Sequence, residues 1–318
     1  MKIGYVNGHW HSNIGNAFYG IGAINLLRSI SNNNKVFNLP DAPQVYWHDL
    51  VNNYDPLVNL DLDLILLSGP CLNIDLLQYY KNTFDNLTKK GKFIGFLSAG
   101  ASNYSAEESS KVINFLKNYN IKFFFTRDRL TFALYNQKLN CPVYDGICTS
   151  MFLNKDDYAN IKMRNYYIFN FNKSLEPKIF FKGNKYKFKK RIPFISRRQN
   201  SLKKKFIIRT SSEGFTKDKK DIFFEKDCYW SSTPDGYLSI YKSALTVFSD
   251  RVHSCCAALI LGRKAMYFKN NKRSSDNRSS IFHRIKLEKI FTEPVMLNMK
   301  FINQEKKKMK KFLTKFLK

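Results

Sequence analysis

No CxxC pair occurs among the six cysteines (71, 141, 148, 228, 255 and 256), so neither a zinc ribbon nor a thioredoxin-type redox motif is present. Adjacent Cys255 and Cys256 would point to different faces of a helix. Reduced, mostly buried thiols of a cytosolic protein are the expectation. No apolar run approaches the roughly 18 residues of a spanning helix. The opening residues, MKIGYVNGHWHSN, lack a signal-peptide hydrophobic region and read as a first strand. Gly8, Gly15, Gly20 and Gly22 do not give GxGxxG, which removes the dinucleotide fingerprint.

Acidic residues are scarce. Only 25 Asp and Glu oppose 53 Lys and Arg, for a net charge of +28. A field of that sign favours anionic partners: nucleic acid, acidic lipid or phosphorylated small molecules. Neither an RRM nor an OB pattern is present, which makes nucleic acid an unlikely partner. HWH at 9–11 places two imidazoles on one face, but no third metal ligand is in sight, and a sugar-contacting or plain loop competes with a metal there.

What is present is a repeated unit. KIGYVNG, LDLILLSGP, GKFIGFLSAGAS, IKFFFTRD and CPVYDGIC are β-rich runs, and amphipathic helical segments follow the first four. Ser105 with Glu108 forms a capping-box pattern at one helix start. Apolar strands alternating with helices predict a parallel, doubly wound α/β sheet. The pattern lapses near Asp156 and restarts at YYIFNFN, giving an N-terminal Rossmann-like domain over 1–157 and a second over 158–300. Residues 173–205 form a basic insertion, with thirteen Lys and Arg against the single acid Glu176. Residues 301–318 read as a basic amphipathic helix, which either docks on the protein or lies on an anionic membrane surface.

The stretch TVFSDRVHSCCAALILGRKAMYF, residues 246–268, carries the chemistry. LTVF is a buried strand, Ser249 or Asp250 can cap a helix beginning near Arg251, a Gly stops that helix, and KAMYF is the next parallel strand. Arg251 and His253 therefore sit where a strand hands over to a helix, the place at which open α/β sheets bind ligands. Free backbone N–H groups and the helix dipole favour an anion there. Arg adds a planar fork for carboxylate or phosphate, and His adds a proton donor that works near neutral pH. The bland alternative is an Arg251 paired with a neighbouring carboxylate and a His253 satisfied in the core.

SALTVFSDRVHSCCAALILGRKAMYF resembles the C-terminal signature of the polysaccharide pyruvyl transferase family. FFFTRDRLTFALYN resembles its Arg-Asp segment through Arg127 and Asp128, and CPVYDGICTSMFL its following Asp strand through Asp145. HSNIGNAFYGIGAINLL resembles its N-terminal loop and helix through Asn13, Gly15 and Asn16. FLSAGAS, with Gly100, lies where a Gly-rich strand-end loop is expected. The pieces run in order over roughly residues 1–290. Asn16 stands where the family has an acid, and Asn170 and Asn172 stand where an arginine is expected.

The resemblance implies two Rossmann-like domains in a GT-B-like arrangement with the site in the cleft. It implies transfer of a pyruvyl group from phosphoenolpyruvate to paired hydroxyls of a cell-surface glycan or its lipid-linked precursor, forming a ketal. Arg251 and His253 become the catalytic candidates, His253 as the acid or as a partner of the leaving phosphate. Arg209, Arg278, Asn13, Gly15, Asn16, Gly100, Arg127, Asp128 and Asp250 become the substrate-binding candidates, with Arg209 or Arg278 replacing the missing second arginine. No metal and no cofactor beyond the donor is called for, and the expected location is cytoplasmic, on the inner face of the membrane if the basic helix lies there. The rival readings are a GT-B glycosyltransferase using a nucleotide sugar and a non-catalytic basic membrane-binding protein.

Overall fold

The computed structural model describes residues 1–7, 13–31, 33–40, 56–163, 165–172, 174, 176–182, 185–189, 206–211, 227–269 and 277–317. HWH at 9–11 and much of the 173–205 insertion lie outside the described residues.

The first half runs β1 (Lys2–Asn7), α1 (Ile14–Arg28), β2 (Lys35–Pro40), α2 (Pro56–Asn59), β3 (Leu64–Leu72), α3 (Ile74–Lys89), β4 (Phe93–Ala101), α4 (Ala106–Leu116), β5 (Ile121–Thr126), α5 (Arg129–Tyr135) and β6 (Val143–Asp145). Its strands form one parallel sheet in the order β2-β1-β3-β4-β5-β6. Continuous apolar strands are explained by burial on both faces. On β3, Leu64 and Leu66 enter one hydrophobic cluster while Ile65 and Leu67 enter another; Phe123 and Phe125 of β5 are separated from Phe124 in the same way. The capping box forms as expected, with the Glu108 N–H donating to Ser105 Oγ at 3.1 Å. The edge strand β2 was not among the expected elements. Its run KVFNLP is short and only partly buried, so it carries little periodic signal.

The second half runs β7 (Tyr166–Asn170), β8 (Lys178–Lys182), β9 (Lys185–Lys189), β10 (Phe206–Thr210), β11 (Cys228–Tyr229), α6 (Pro234–Ser243), β12 (Thr246–Ser249), α7 (Val252–Ile260) and β13 (Lys264–Tyr267). Five strands make a second parallel sheet in the order β11-β10-β7-β12-β13. Within the basic insertion, β8 and β9 pair antiparallel, with Ile179 opposite Phe188. The two parallel α/β sheets are the expected fold class.

A short helix, α8 (Ser280–Arg284), and a long one, α9 (Met299–Leu317), follow. The apolar stripe of α9 does not face outward. Ile302, Met309, Leu313 and Leu317 are buried, and Phe312 and Phe316 pack on Phe125, Tyr144 and Phe123 of the first sheet. Of the two readings of this helix, docking on the protein is the one its apolar face takes. Arg284 pins the same helix, donating to Asp145 Oδ1 at 3.1 Å and to Glu305 Oε2 at 2.6 Å. No helix among the described residues is long and apolar enough to cross a membrane.

One cluster of buried residues is continuous across both halves, joining Ile3, Phe18 and Leu66 to Tyr241, Val247 and Ala257. Phe18 of α1 meets Tyr241 of α6 edge-on, with ring centroids 6.0 Å apart. Gly22 lets α1 approach the backbone at Thr149 so closely that a Cβ there would collide with the Thr149 carbonyl.

Candidate active site

The carboxyl ends of both sheets converge on one pocket. After β1, Asn13 caps α1, its side chain accepting from the Gly15 N–H at 3.2 Å. After β12, the Arg251 N–H donates to Ser249 Oγ at 2.9 Å, and α7 begins at Val252. Asp250 is not the cap of α7 but a tie to the loop after β7. Its Oδ1 accepts from the Asn172 N–H at 3.2 Å and its Oδ2 from the Ser174 N–H at 2.6 Å. At the far end, Gly262 has φ +80°, and its N–H and that of Arg263 close onto Leu259 and Ala258 at 3.1 and 2.9 Å, a Schellman stop of the kind the Gly predicts. Two helix N-termini, those of α1 and α7, thus approach one another: a Cβ at Gly15 would lie 3.1 Å from His253 Cβ.

The pocket is about 120 Å³. Asn13, Gly15, Asn16, Arg127, Asp250, Arg251, His253 and Arg278 all line it, eight of the eleven residues singled out from sequence. Pro70, Val252, Tyr267 and Ile281 complete the lining. Pro70 and Tyr267 had no signal of their own, because their place follows from strand order.

Arg127 is 1% exposed, yet its Nε and Nη2 have no hydrogen-bond partner among the described residues. Burial opposes the charge on its guanidinium, but Tyr104 and Asp128 outweigh burial and hold it above the ordinary arginine value. Nε also lies 3.8 Å from Asp128 Oδ2, an ion pair inside the wall, and N–H groups buried without a hydrogen bond cost about 1–3 kcal/mol each. His253 meets the cavity with part of its surface, stacks obliquely on Tyr19 at 5.0 Å, and has a buried Nε2 with no partner among the described residues. Enclosure by protein, then Arg127, Arg278 and Arg251, push its pKa well below 6.5, so the imidazole is neutral in the unliganded pocket.

Three expected contacts are corrected. Arg209 does not line the pocket; its Nε and Nη2 donate to Glu176 at 2.8 Å and its Nη1 to Asp227. The further cations come from Arg127 and Arg278 instead. Asp128 is buried as the cap of α5, accepting from the Thr131 N–H at 2.8 Å, the Thr131 hydroxyl at 3.0 Å and the Tyr104 hydroxyl at 3.2 Å. It fixes the turn that presents Arg127. Gly100 makes no contact with the pocket either, but a Cβ there would lie 2.7 Å from Cζ and Nη2 of Arg127. Asn170, where an arginine was expected, donates to Thr210 Oγ1 and the Tyr241 hydroxyl at 3.0 Å each, inside the second domain. Among the described residues, no group of three or more His, Cys, Asp or Glu could hold a metal ion.

The family model for polysaccharide pyruvyl transferase matches residues 13–272. No curated protein sequence matches the chain at a significant level. Among solved structures, a candidate UDP-N-acetylglucosamine 2-epimerase from Listeria monocytogenes is similar at TM-score 0.51 and 9% identity, over 96% of this chain and 86% of that one. UDP-GlcNAc 2-epimerase from Neisseria meningitidis, bound to UDP-GlcNAc, is similar at TM-score 0.50 and 9% identity, over 99% and 100%. ADP-heptose LPS heptosyltransferase II from E. coli gives TM-score 0.36 at 9% identity, over 100% and 98%. At these identities the likeness concerns the fold, two α/β domains in a GT-B-like arrangement.

Proposed function

The chain belongs to the polysaccharide pyruvyl transferase family and is a transferase, and from that premise we propose that its pocket holds phosphoenolpyruvate and delivers the pyruvyl group to a sugar. The donor carries a carboxylate and a phosphate, and the pocket offers Arg127, Arg251, Arg278 and two helix N-termini. Its size supports a compact donor. A pocket of about 120 Å³ is below the roughly 300 Å³ at which sites for drug-sized ligands begin.

In the proposed mechanism, protonated His253 gives its proton to the methylene carbon of the enol. The double-bond electron pair forms the new C–H bond, and the neighbouring carbon becomes electrophilic. One sugar hydroxyl attacks that carbon and its proton returns to the imidazole. The second hydroxyl attacks as the carbon–oxygen bond to phosphate breaks, and its proton leaves with the phosphate. Every atom is accounted for without redox chemistry or a metal ion. The arginines stabilise the leaving phosphate, the kind of preorganised charge that commonly dominates such catalysis.

The observation that carries this reading is the convergence of Arg127, Arg251, Arg278 and His253 on one small pocket. Its test is incubation with labelled phosphoenolpyruvate and a panel of free and lipid-linked glycans. The expected result is a mass gain of one pyruvyl ketal with equimolar phosphate release. Protection by a nucleoside diphosphate, with indifference to phosphoenolpyruvate, supports a nucleotide-sugar transferase instead. The acceptor is a glycan in keeping with the family, and the site of action is the cytoplasmic side, where phosphoenolpyruvate is made.

A further inference from the structure

We infer that the pocket takes up its anionic ligand together with one proton, and that this proton lodges on His253. The inference rests on the donor reading above and supplies what that reading lacks, a means of charging the acid before chemistry.

The groups facing the imidazole come from every element around it. Arg127 follows β5, Arg251 belongs to the same turn as His253, and Arg278 precedes α8. The Tyr19 ring and the N-terminus of α1 approach from the other domain. Asp250 is the one carboxylate in the described lining, its oxygens accepting from the N–H groups of Asn172 and Ser174, and Asp128 lies behind the wall with Oδ2 3.8 Å from Arg127 Nε. Three guanidinium groups and two helix N-termini therefore surround a ring that would carry a further positive charge. Their repulsion and the ring's enclosure keep it neutral at rest. A donor with three negative charges at neutral pH reverses the local field. His253 Nε2, buried and unpartnered among the described residues, is then the group placed to hold a proton against the ligand. A phosphate monoester has its second pKa near 6, so above pH 7 the incoming ligand brings no proton of its own. Solvent must supply it.

The test is calorimetric titration of the full chain at pH 7.5 in two buffers of different ionisation enthalpy, once with phosphoenolpyruvate and once with sulfate, which stays dianionic throughout. The expected result is a difference in observed enthalpy equal to about one proton taken up per ligand. Affinity should also weaken about tenfold per pH unit from 7.0 to 8.5. His253→Gln, which keeps a hydrogen-bonding amide in the same place, should still bind but lose the buffer and pH dependence. Equal enthalpies in both buffers with a flat affinity in wild type overturn the inference, whether or not the variant folds. Proton uptake that persists in His253→Gln overturns it too. Sulfate binding with proton uptake while phosphoenolpyruvate fails to bind removes the donor reading and leaves the proton linkage standing. Failure of both anions to bind removes both.

Discussion

Gly100 and Arg127 occupy adjoining space so fully that a methyl group at position 100 would sit 2.7 Å from the guanidinium carbon. The arginine has room for its guanidinium because the neighbouring strand carries no side chain at position 100. Gly100→Ala should therefore displace the guanidinium and raise KM for phosphoenolpyruvate about tenfold or more, with a smaller change in kcat. Steady-state kinetics on donor and acceptor separately checks this; a KM change confined to the acceptor would count against it.

Arg127→Met should cost both function and stability. The buried cation balances the equally buried Asp128. Because Asp128 lies 3.8 Å from Nε in the same buried wall, removing the cation alone leaves that carboxylate uncompensated. Tm should therefore fall, with a loss of about 3–5 kcal/mol of stability, while donor affinity falls roughly a hundredfold. Differential scanning calorimetry and donor titration measure the two effects on one sample.

Arg251→Ala and His253→Ala should each abolish pyruvyl transfer and leave the fold intact. Loss of a general acid typically costs about 10²–10⁴-fold, and loss of an aimed charge-stabilising donor about 10²–10³-fold. A His253→Ala enzyme that keeps wild-type turnover removes the imidazole from the mechanism.

Stability should fall as unliganded protein is acidified through the ordinary histidine range. His253 has a folded-state pKa well below 6.5, so below about pH 6.5 the unfolded chain binds a proton that the folded chain does not, and folding weakens. The contribution is fully present above pH 6.5 and drains away below it. Melting curves from pH 7.5 to 5.5 should show this slope in wild type and a shallower one in His253→Gln. Added sulfate should flatten the wild-type slope as well.

Leu313→Ala should destabilise by about 2–5 kcal/mol, the usual cost of opening a core cavity, because Leu313 is fully buried where α9 crosses the first sheet. Chemical denaturation would read the loss. A surface-bound helix with an outward apolar stripe would show almost none.

The repeated strand–helix rhythm made the first sheet legible, since each strand is buried on both faces and spells a continuous apolar run. The Arg251–His253 turn was legible for the same reason: LTVF and KAMYF frame it so tightly that its place at a strand end follows from local pattern alone. Arg209 shows where that reasoning stops. A basic side chain ending a strand has the right address, but its carboxylate partners, Glu176 and Asp227, lie 33 and 18 residues away along the chain. No local pattern announces such a pairing. The same holds for Arg127, which was placed near substrate by resemblance, whereas its depth and its dependence on Gly100 emerge only when β4 and β5 lie side by side. The amphipathic C-terminal helix left two surfaces open to it, and long-range packing chose the protein.

Because α1 is wedged between the halves, with Phe18 against Tyr241 and Tyr19 against His253, neither half is a free-standing module. Expressed alone, each would bare a broad oily flank and aggregate, and mixing the two pieces would not restore an enzyme readily. Heat should melt the intact chain in one calorimetric step, and donors should find a vessel already shaped rather than jaws that swing shut.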